Sequence, residues 1–483
     1  MATRTNHTVL AATDSRAFRS VRERTTSRAE RFTLGAGLRA QVPHEALGNW
    51  EATSVRFDPL ALISLSMAGR VPELAPIRIG RMVSSPYSFL RGTAGVMAAD
   101  VASLPATGIR PVVCGDSHLG NFGFYRSPEG EQVIDMNDFD EAHPGAWEWD
   151  LRRLVASVHV AGRENGYSED ACAESVRSCV AAYRDEVGYL ATQPLLARSF
   201  NRLDVSSLHD TVSEKTLRDE IRRAVKVARK RTSDRALPKL TAETNGRRHI
   251  KAEPPLVVPI VGEEYDAIAE ALDGYLETLA PHWRRVVAGY SLLDIAHKVV
   301  GVGSVGLRAY VALLEGSSTD DVLFLQLKEA RRSVLARFVH GDDAWHAHQG
   351  QRVVEYQQAL QTVSDPLLGW TTIQGRQYYV RQFRNMKGTV PLNAMTASAL
   401  TDYAGIVGHL LAKGHARTSG ASMIAGYLGA SDSAGVALAR FARLYADQTE
   451  ADHAALVAAV KQGLFPIADG AIEAMGSAFR PGG

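Results

Sequence analysis

Val112-Val-Cys-Gly-Asp116-Ser-His-Leu-Gly-Asn121-Phe-Gly, then Gln132-Val-Ile-Asp-Met-Asn-Asp138-Phe-Asp-Glu141, then Trp147-Glu-Trp-Asp-Leu151 are the runs on which the reading of this chain turns. Two apolar stretches each lead straight into acidic residues. Asn121 follows Asp116 by five positions, and Asp138 comes a few residues after the second stretch. Carboxylates delivered at strand ends, with an amide oxygen at fixed spacing, are hard oxygen ligands of the kind Mg²⁺ takes alongside substrate phosphates. Loop capping is the structural alternative, because Asp and Asn are favoured where strands turn. The clustering of three such residues favours ligation.

Outward from that segment, the chain alternates helical and β-rich stretches. A helical pattern through Val96, Met97, Val101 and Leu104 ends at Pro105 and Gly108, and Ile109 to Val113 reads as a strand feeding the Asp116 loop. Phe122-Gly-Phe-Tyr and Gln132-Val-Ile form a hairpin around Pro128-Glu-Gly130, returning the chain so that Asp138 sits near Asp116 and Asn121. Strand alternation turns Asp135 to the face opposite Asp138, and His118 is placed to orient the loop or touch substrate. From Leu151 to about Leu279 the signal is helical, with Ser168 an N-cap before Val176, Cys179, Val180, Tyr183, Val187 and Leu190. The basic run from Arg222 to Arg231 reads as a solvated face, with a patch for an acidic or phosphorylated substrate as the sharper alternative.

The period then changes. Gly301-Val-Gly303-Ser304-Val-Gly306 lies between β-rich stretches, and Val322-Leu-Phe-Leu-Gln-Leu-Lys328 is a strand ending on lysine. A dinucleotide-binding glycine fingerprint runs into a helix, not a strand, so an oxidoreductase is disfavoured. Glycines let backbone N–H groups approach phosphate oxygens and a lysine neutralises them, so Gly301, Gly303, Ser304, Gly306 and Lys328 are candidate nucleotide contacts. Glu355, in the helical stretch Gly350–Leu360, is a candidate ion-pair partner for Lys328. Two further strands, 368–373 and 378–383, precede a connection at Arg384-Asn-Met-Lys-Gly388 and the closing helices.

Composition bounds the rest. With 483 residues, two lobes are expected. Apolar content of 45% and charged content of 22% are those of a globular protein, and a formal net charge of +1 gives no bulk attraction to nucleic acid or anionic membrane. Cys114, Cys172 and Cys179 are too few for a disulfide framework or a zinc site. No apolar run reaches membrane-spanning length and no signal-peptide core opens the chain, so a cytoplasmic location is expected. Seven arginines in the first 31 residues mark residues 1–35 as a flexible basic arm or a solvated helix.

Cys114-Gly-Asp-Ser-His-Leu-Gly-Asn-Phe-Gly, Asn137-Asp-Phe-Asp-Glu, Trp147-Glu-Trp-Asp-Leu, Val299-Val-Gly-Val-Gly-Ser-Val-Gly, Leu325-Gln-Leu-Lys-Glu-Ala, Gly350-Gln-Arg-Val-Val-Glu and Tyr379-Val-Arg-Gln-Phe-Arg-Asn-Met-Lys-Gly together resemble a bacterial family, domain of unknown function 2252, across roughly residues 75–465. The first motif is also similar to the catalytic loop of aminoglycoside phosphotransferases and related kinases, His-Gly-Asp-x-His-x-x-Asn, and the second to their metal loop. That resemblance implies Asp116 as catalytic base, Asn121 and Asp138 as Mg²⁺ ligands, Asp150 as a structural carboxylate, the glycines over ATP phosphates, and Lys328 on the α/β-phosphates. Cys114 replaces the leading His, and the glycine loop and Lys328 follow the catalytic loop instead of preceding it. The expectation is therefore an α+β, two-lobed, protein-kinase-like fold in circularly permuted order: a large lobe over 36–289, a small β-rich lobe over 290–388, and helical completion of the large lobe over 389–483. The function it implies is Mg-ATP-dependent phosphoryl transfer to a small-molecule hydroxyl. Nucleotidyl transfer and a nucleotide-binding pseudokinase scaffold are the alternatives.

Overall fold

In the computed structural model the described residues are Arg22 and 26–467, apart from 201, 204–211, 213, 245, 300, 342, 343, 384 and 419. Most of the expected arm and the last sixteen residues of the chain lie outside them, as does Arg384.

The first helices are α1 (Arg28–Gly37), α2 (Pro59–Met67), α3 (Ala75–Met82), α4 (Pro86–Gly92) and α5 (Ala94–Ala102). They precede α6 (Trp147–Glu164), α7 (Glu169–Thr192), α8 (Leu195–Phe200) and α9 (Lys215–Ala228). The described end of the expected arm is ordered: α1 opens on a reciprocal Ser27–Glu30 capping box and packs on a helix near the other end of the chain. Ser168 caps α7 as its sequence predicts, accepting from the N–H of Ala171, and Cys172, Val176, Cys179, Tyr183, Val187 and Leu190 line its buried face. In α9 the apolar stripe of Leu217, Ile221 and Val225 is buried, while Arg222 and Arg223 lie outside, paired with Asp219 and Glu220.

After α9 the chain leaves the helical unit to build a second one. It holds α10 (Ser233–Leu240), the hairpin β5 (Thr241–Thr244) and β6 (Arg247–Ile250), α11 (Glu263–Thr278), α12 (Pro281–Val287) and α13 (Gln349–Leu360). At its centre is an antiparallel sheet in the order β11-β12-β10-β9-β8-β7, from β7 (Val257–Pro259), β8 (Ser291–Lys298), β9 (Ala309–Glu315), β10 (Val322–Glu329), β11 (Gly369–Ile373) and β12 (Arg376–Gln382). Period-two alternation splits its faces. Leu323, Leu325 and Leu327 of β10 and Tyr378 and Val380 of β12 pack with Ile268, Leu272 and Tyr275 of α11. Phe324, Gln326 and Lys328 point the other way. This unit thus begins well before residue 290, where the sequence reading placed its boundary. An apolar sheet face has to be covered, and α11 covers it, but in sequence α11 is one more amphipathic helix in a helix-rich run.

The chain then returns as α14 (Ala397–Thr418), α15 (Ala421–Leu428) and α16 (Ser433–Lys461). These pack into the same core as α6 and α7, so residues on both sides of the sheet unit share one hydrophobic interior. α7 and α14 pack backbone to backbone, and a Cβ on Gly408 would overlap the Cys179 carbonyl. No helix among the described residues is long and apolar enough to cross a membrane.

Candidate active site

Short strand β1 (Val112–Val113) pairs with β4 (His143–Pro144), and the hairpin of β2 (Phe122–Arg126) and β3 (Gln132–Met136) runs between them. Pairing Phe122 with Met136 sets Asn121 beside Asn137, whose N–H donates to the Asn121 carbonyl at 2.9 Å. The two acidic loops therefore meet. Asn121 fastens them: its Nδ2 donates to the carbonyls of Asp116 and Asp138, each at 3.0 Å. Its Oδ1 is the part left for a cation. Asp135 turns away, as alternation predicts, and accepts from the N–H of Thr362.

The loop bearing Asp116 is fixed from α6. Both carboxylate oxygens of Asp150 are taken, by the N–H of Cys114 at 2.6 Å and of Gly115 at 2.8 Å. Gly115 has φ +79°, and a Cβ there would overlap the Glu141 carbonyl, so no other residue fits this turn. Asp116 itself pairs with a residue the sequence reading missed. Arg153 donates to Oδ1 through Nε at 2.9 Å and Nη2 at 2.7 Å, and among the described residues nothing hydrogen-bonds Oδ2, His118 Nε2 being 3.9 Å away. Burial pushes the Asp116 carboxyl up and Arg153 holds it back; the net shift is upward. His118 is buried, and burial together with Arg91 and Arg153 keeps its imidazole well below the usual range and neutral.

Lys328 reaches this site from β10. It lies 2.5 Å from Asp140 Oδ2 and 3.6 Å from Asp138 Oδ1, and both carboxylates overcome burial to raise its pKa. Tyr379, its neighbour across the β10–β12 pair, donates to Asp140 Oδ1 at 2.9 Å. Arg381 stands beside Tyr379 and donates to the Asn137 carbonyl at 3.4 Å. The pairing expected between Lys328 and Glu355 is not made. Glu355 accepts from Gln351, and α13 contributes Arg352 instead. The fully buried Arg352 donates to the carbonyls of Asp140, Ala142 and Arg331, so α13 grips the backbone of the acidic loop and leaves the lysine to the acids. Asp140 and Asp138 engage Lys328 instead.

The glycine loop closes the other side. Ser304 Oγ donates to Asp140 Oδ2 at 3.4 Å, the Gly306 carbonyl accepts from the N–H of Val71 at 2.8 Å, and Arg70 and Arg81 hold the carbonyls of Val305 and Gly301. Gly301 and Gly306 both have positive φ. Gly303 packs over Arg91: a Cβ on it would lie 3.4 Å from the Arg91 carbonyl. All the sequence-predicted residues except Glu355 thus join one cluster, and it also holds Arg153, Asp140, Tyr379, Arg381 and Arg352. The signal for Arg152-Arg153 was a charged pair inside the otherwise apolar, buried stretch of α6.

The donor set suits a hard divalent ion. Asp138 has the most exposed carboxylate of the cluster, 3.6 Å from Lys328. Asp138 and the Asn121 Oδ1 supply oxygen only, and among the described residues no group of three or more His, Cys, Asp or Glu forms a closed metal cage. Such a two-ligand site is the kind Mg²⁺ fills with help from substrate phosphates.

Glu141 gives a pH signature. Its Oε2 accepts from the N–H of Val334 at 2.7 Å, yet burial lifts its pKa to about 7. The folded state thus holds a proton that the unfolded chain releases near pH 4.5, so this residue lowers stability as pH rises from about 4.5 to about 7. Glu141→Gln is expected to stabilise the protein by on the order of 1–2 kcal/mol above pH 7 and by nothing near pH 4. Denaturant midpoints across that range would refute this by showing a pH-independent difference.

Set against known proteins, the chain matches the bacterial family of uncharacterised conserved proteins, domain of unknown function 2252, over residues 70–459, and it belongs to that family. No curated protein and no solved structure matches it.

Proposed function

We propose that the protein is a phosphotransferase that binds Mg-ATP and passes the γ-phosphoryl group to a hydroxyl, on a circularly permuted kinase-like fold. The observation that carries this reading is the meeting at Asp140 of Lys328 from the third of three consecutive strands and Ser304 from the glycine loop between the first two, within reach of Asp138. Glycine loop, lysine strand, helix and acidic loop are the parts a kinase uses on ATP phosphates. Val257, Val311, Phe324 and Phe383 form an apolar cluster on the sheet face that also carries Lys328.

In this reading Asp138 and Asn121 would hold Mg²⁺, which neutralises phosphate charge. Lys328, already turned into the site, binds phosphate oxygens, and the glycine loop shields them from water. Asp116 Oδ2 accepts the proton of the acceptor hydroxyl as its oxygen forms the new P–O bond and the bond to ADP breaks. Arg153, on Oδ1, holds Asp116 ionised and aimed. Catalysis is chiefly positioning and charge neutralisation.

Thermal unfolding with and without Mg-ATP tests the site. Ligand at a hundredfold excess over Kd should add about 2.7 kcal/mol to the wild type, and most of this should vanish in Asp138→Ala. An unchanged midpoint in the wild type sinks the proposal. Appearance of ADP, not pyrophosphate, then separates phosphoryl from nucleotidyl transfer.

A further inference from the structure

We infer that the acceptor is an anion, a hydroxy compound bearing a phosphate or carboxylate group, and that Arg91 is its anchor; this rests on the phosphotransferase reading above. Arg91 lies in the last turn of α4, between the glycine loop and the base. Its carbonyl faces Gly303, and the carbonyl of the preceding residue, Leu90, accepts from Arg153 Nη2 at 2.6 Å, the nitrogen that also bonds Asp116.

What separates Arg91 from the other arginines here is that its side chain is unspent. Arg352 is saturated by carbonyls, Arg70 and Arg81 hold the glycine loop, and Arg153 holds Asp116. Arg91 Nε is buried with no hydrogen-bond partner, and among the described residues no carboxylate lies within ion-pair distance of its guanidinium. Nδ1 of His118, against whose ring Tyr87 packs edge-on, is likewise buried and unpartnered. The acids nearby are already engaged: Asp116 by Arg153, and Glu164 by the N–H of Tyr87 at 3.2 Å. Arg91 and Arg153 thus both act electrostatically on Asp116, but only Arg153 pairs with it. The depression of the His118 pKa, to which Arg91 and Arg153 both contribute after burial, agrees with that excess of positive charge.

A buried donor without an acceptor is costly, and a fork of N–H groups matches phosphate or carboxylate oxygens two at a time. A polycationic acceptor of the aminoglycoside kind would be repelled. On α9, which the sequence presents first as a solvated face and alternatively as a patch for an acidic substrate, Arg222 and Arg223 are exposed and paired along their own helix.

Inorganic phosphate is the probe. The wild type and Arg91→Gln are saturated with the magnesium complex of a non-hydrolysable ATP analogue and then titrated with phosphate, against sodium chloride of equal ionic strength. Phosphate should raise the melting midpoint of the wild-type complex, and its affinity should fall about tenfold or more in Arg91→Gln, the loss of a charged hydrogen bond. The rise given by the nucleotide itself should be the same in both. Phosphate acting no better than chloride, or equally well on the two proteins, overturns the proposal. If the nucleotide fails to stabilise the wild type, the phosphotransferase reading falls by itself. Phosphate titrated into the free proteins then still decides whether Arg91 holds an anion.

Discussion

Asp116→Asn should lower the rate of ADP formation by about 10²–10⁴-fold, the range a positioned general base contributes, while leaving the stabilisation by Mg-ATP in place. The amide keeps the shape of the carboxylate but cannot take the proton at Oδ2. It also leaves the buried Arg153 without a counter-charge, so a loss of stability of about 1–3 kcal/mol is expected alongside. The two effects separate by measurement. A residue that only braced the loop would unfold more easily yet turn over normally per folded molecule. Initial rates taken well below the melting midpoint, with nucleotide binding measured on the same sample, decide between them. Full turnover by folded Asp116→Asn would remove Asp116 from the chemistry.

Arg352→Met should be the most damaging single change to the scaffold, at about 3–4 kcal/mol. Its guanidinium is fully buried and serves three main-chain carbonyls, of Asp140, Ala142 and Arg331, as well as Gln349. Methionine fills most of the volume but leaves those acceptors dry. The charge itself costs something to bury, and burial depresses the Arg352 pKa, so removing it returns part of the loss. The distinctive consequence is at the site. With the acidic loop released from α13, Lys328 and Asp140 lose their fixed spacing, and Mg-ATP affinity should fall together with stability. Glu355→Gln, one turn further along the same helix, should change neither, since among the described residues the Glu355 carboxylate hydrogen-bonds only to Gln351. Denaturant melts and nucleotide titrations of both variants test this. A nucleotide-binding defect in Glu355→Gln with Arg352→Met unaffected would reverse the assignment.

Much of this was legible because the signals are local. Alternation along Val322–Lys328 puts Lys328 on the face opposite three leucines, and the turn at Pro128–Gly130 brings Asn121 back beside Asn137. Asp116, Asn121, Asp138, Ser304 and Lys328 each carry a spacing or strand-end signature, and they meet. The partners were less legible. Glu355 was the natural choice for Lys328 because it is the acid on the next helix. Asp140, 188 residues before Lys328 in the chain but nearest to it in space, takes the lysine instead. Arg91, Arg153 and Arg352 show in sequence only as charges within apolar helices.

By itself, the sequence determined the elements around the acidic loops, the hairpin between them, the family and the set of acids and glycines, since each depends on period and spacing within a few dozen residues. The tertiary structure alone decided which charges pair. Residues 91, 116, 153, 304, 328 and 352 come from six separate elements, and the net worth of a buried charge depends on the nearest opposite charge or carbonyl in space, which separation along the chain does not specify.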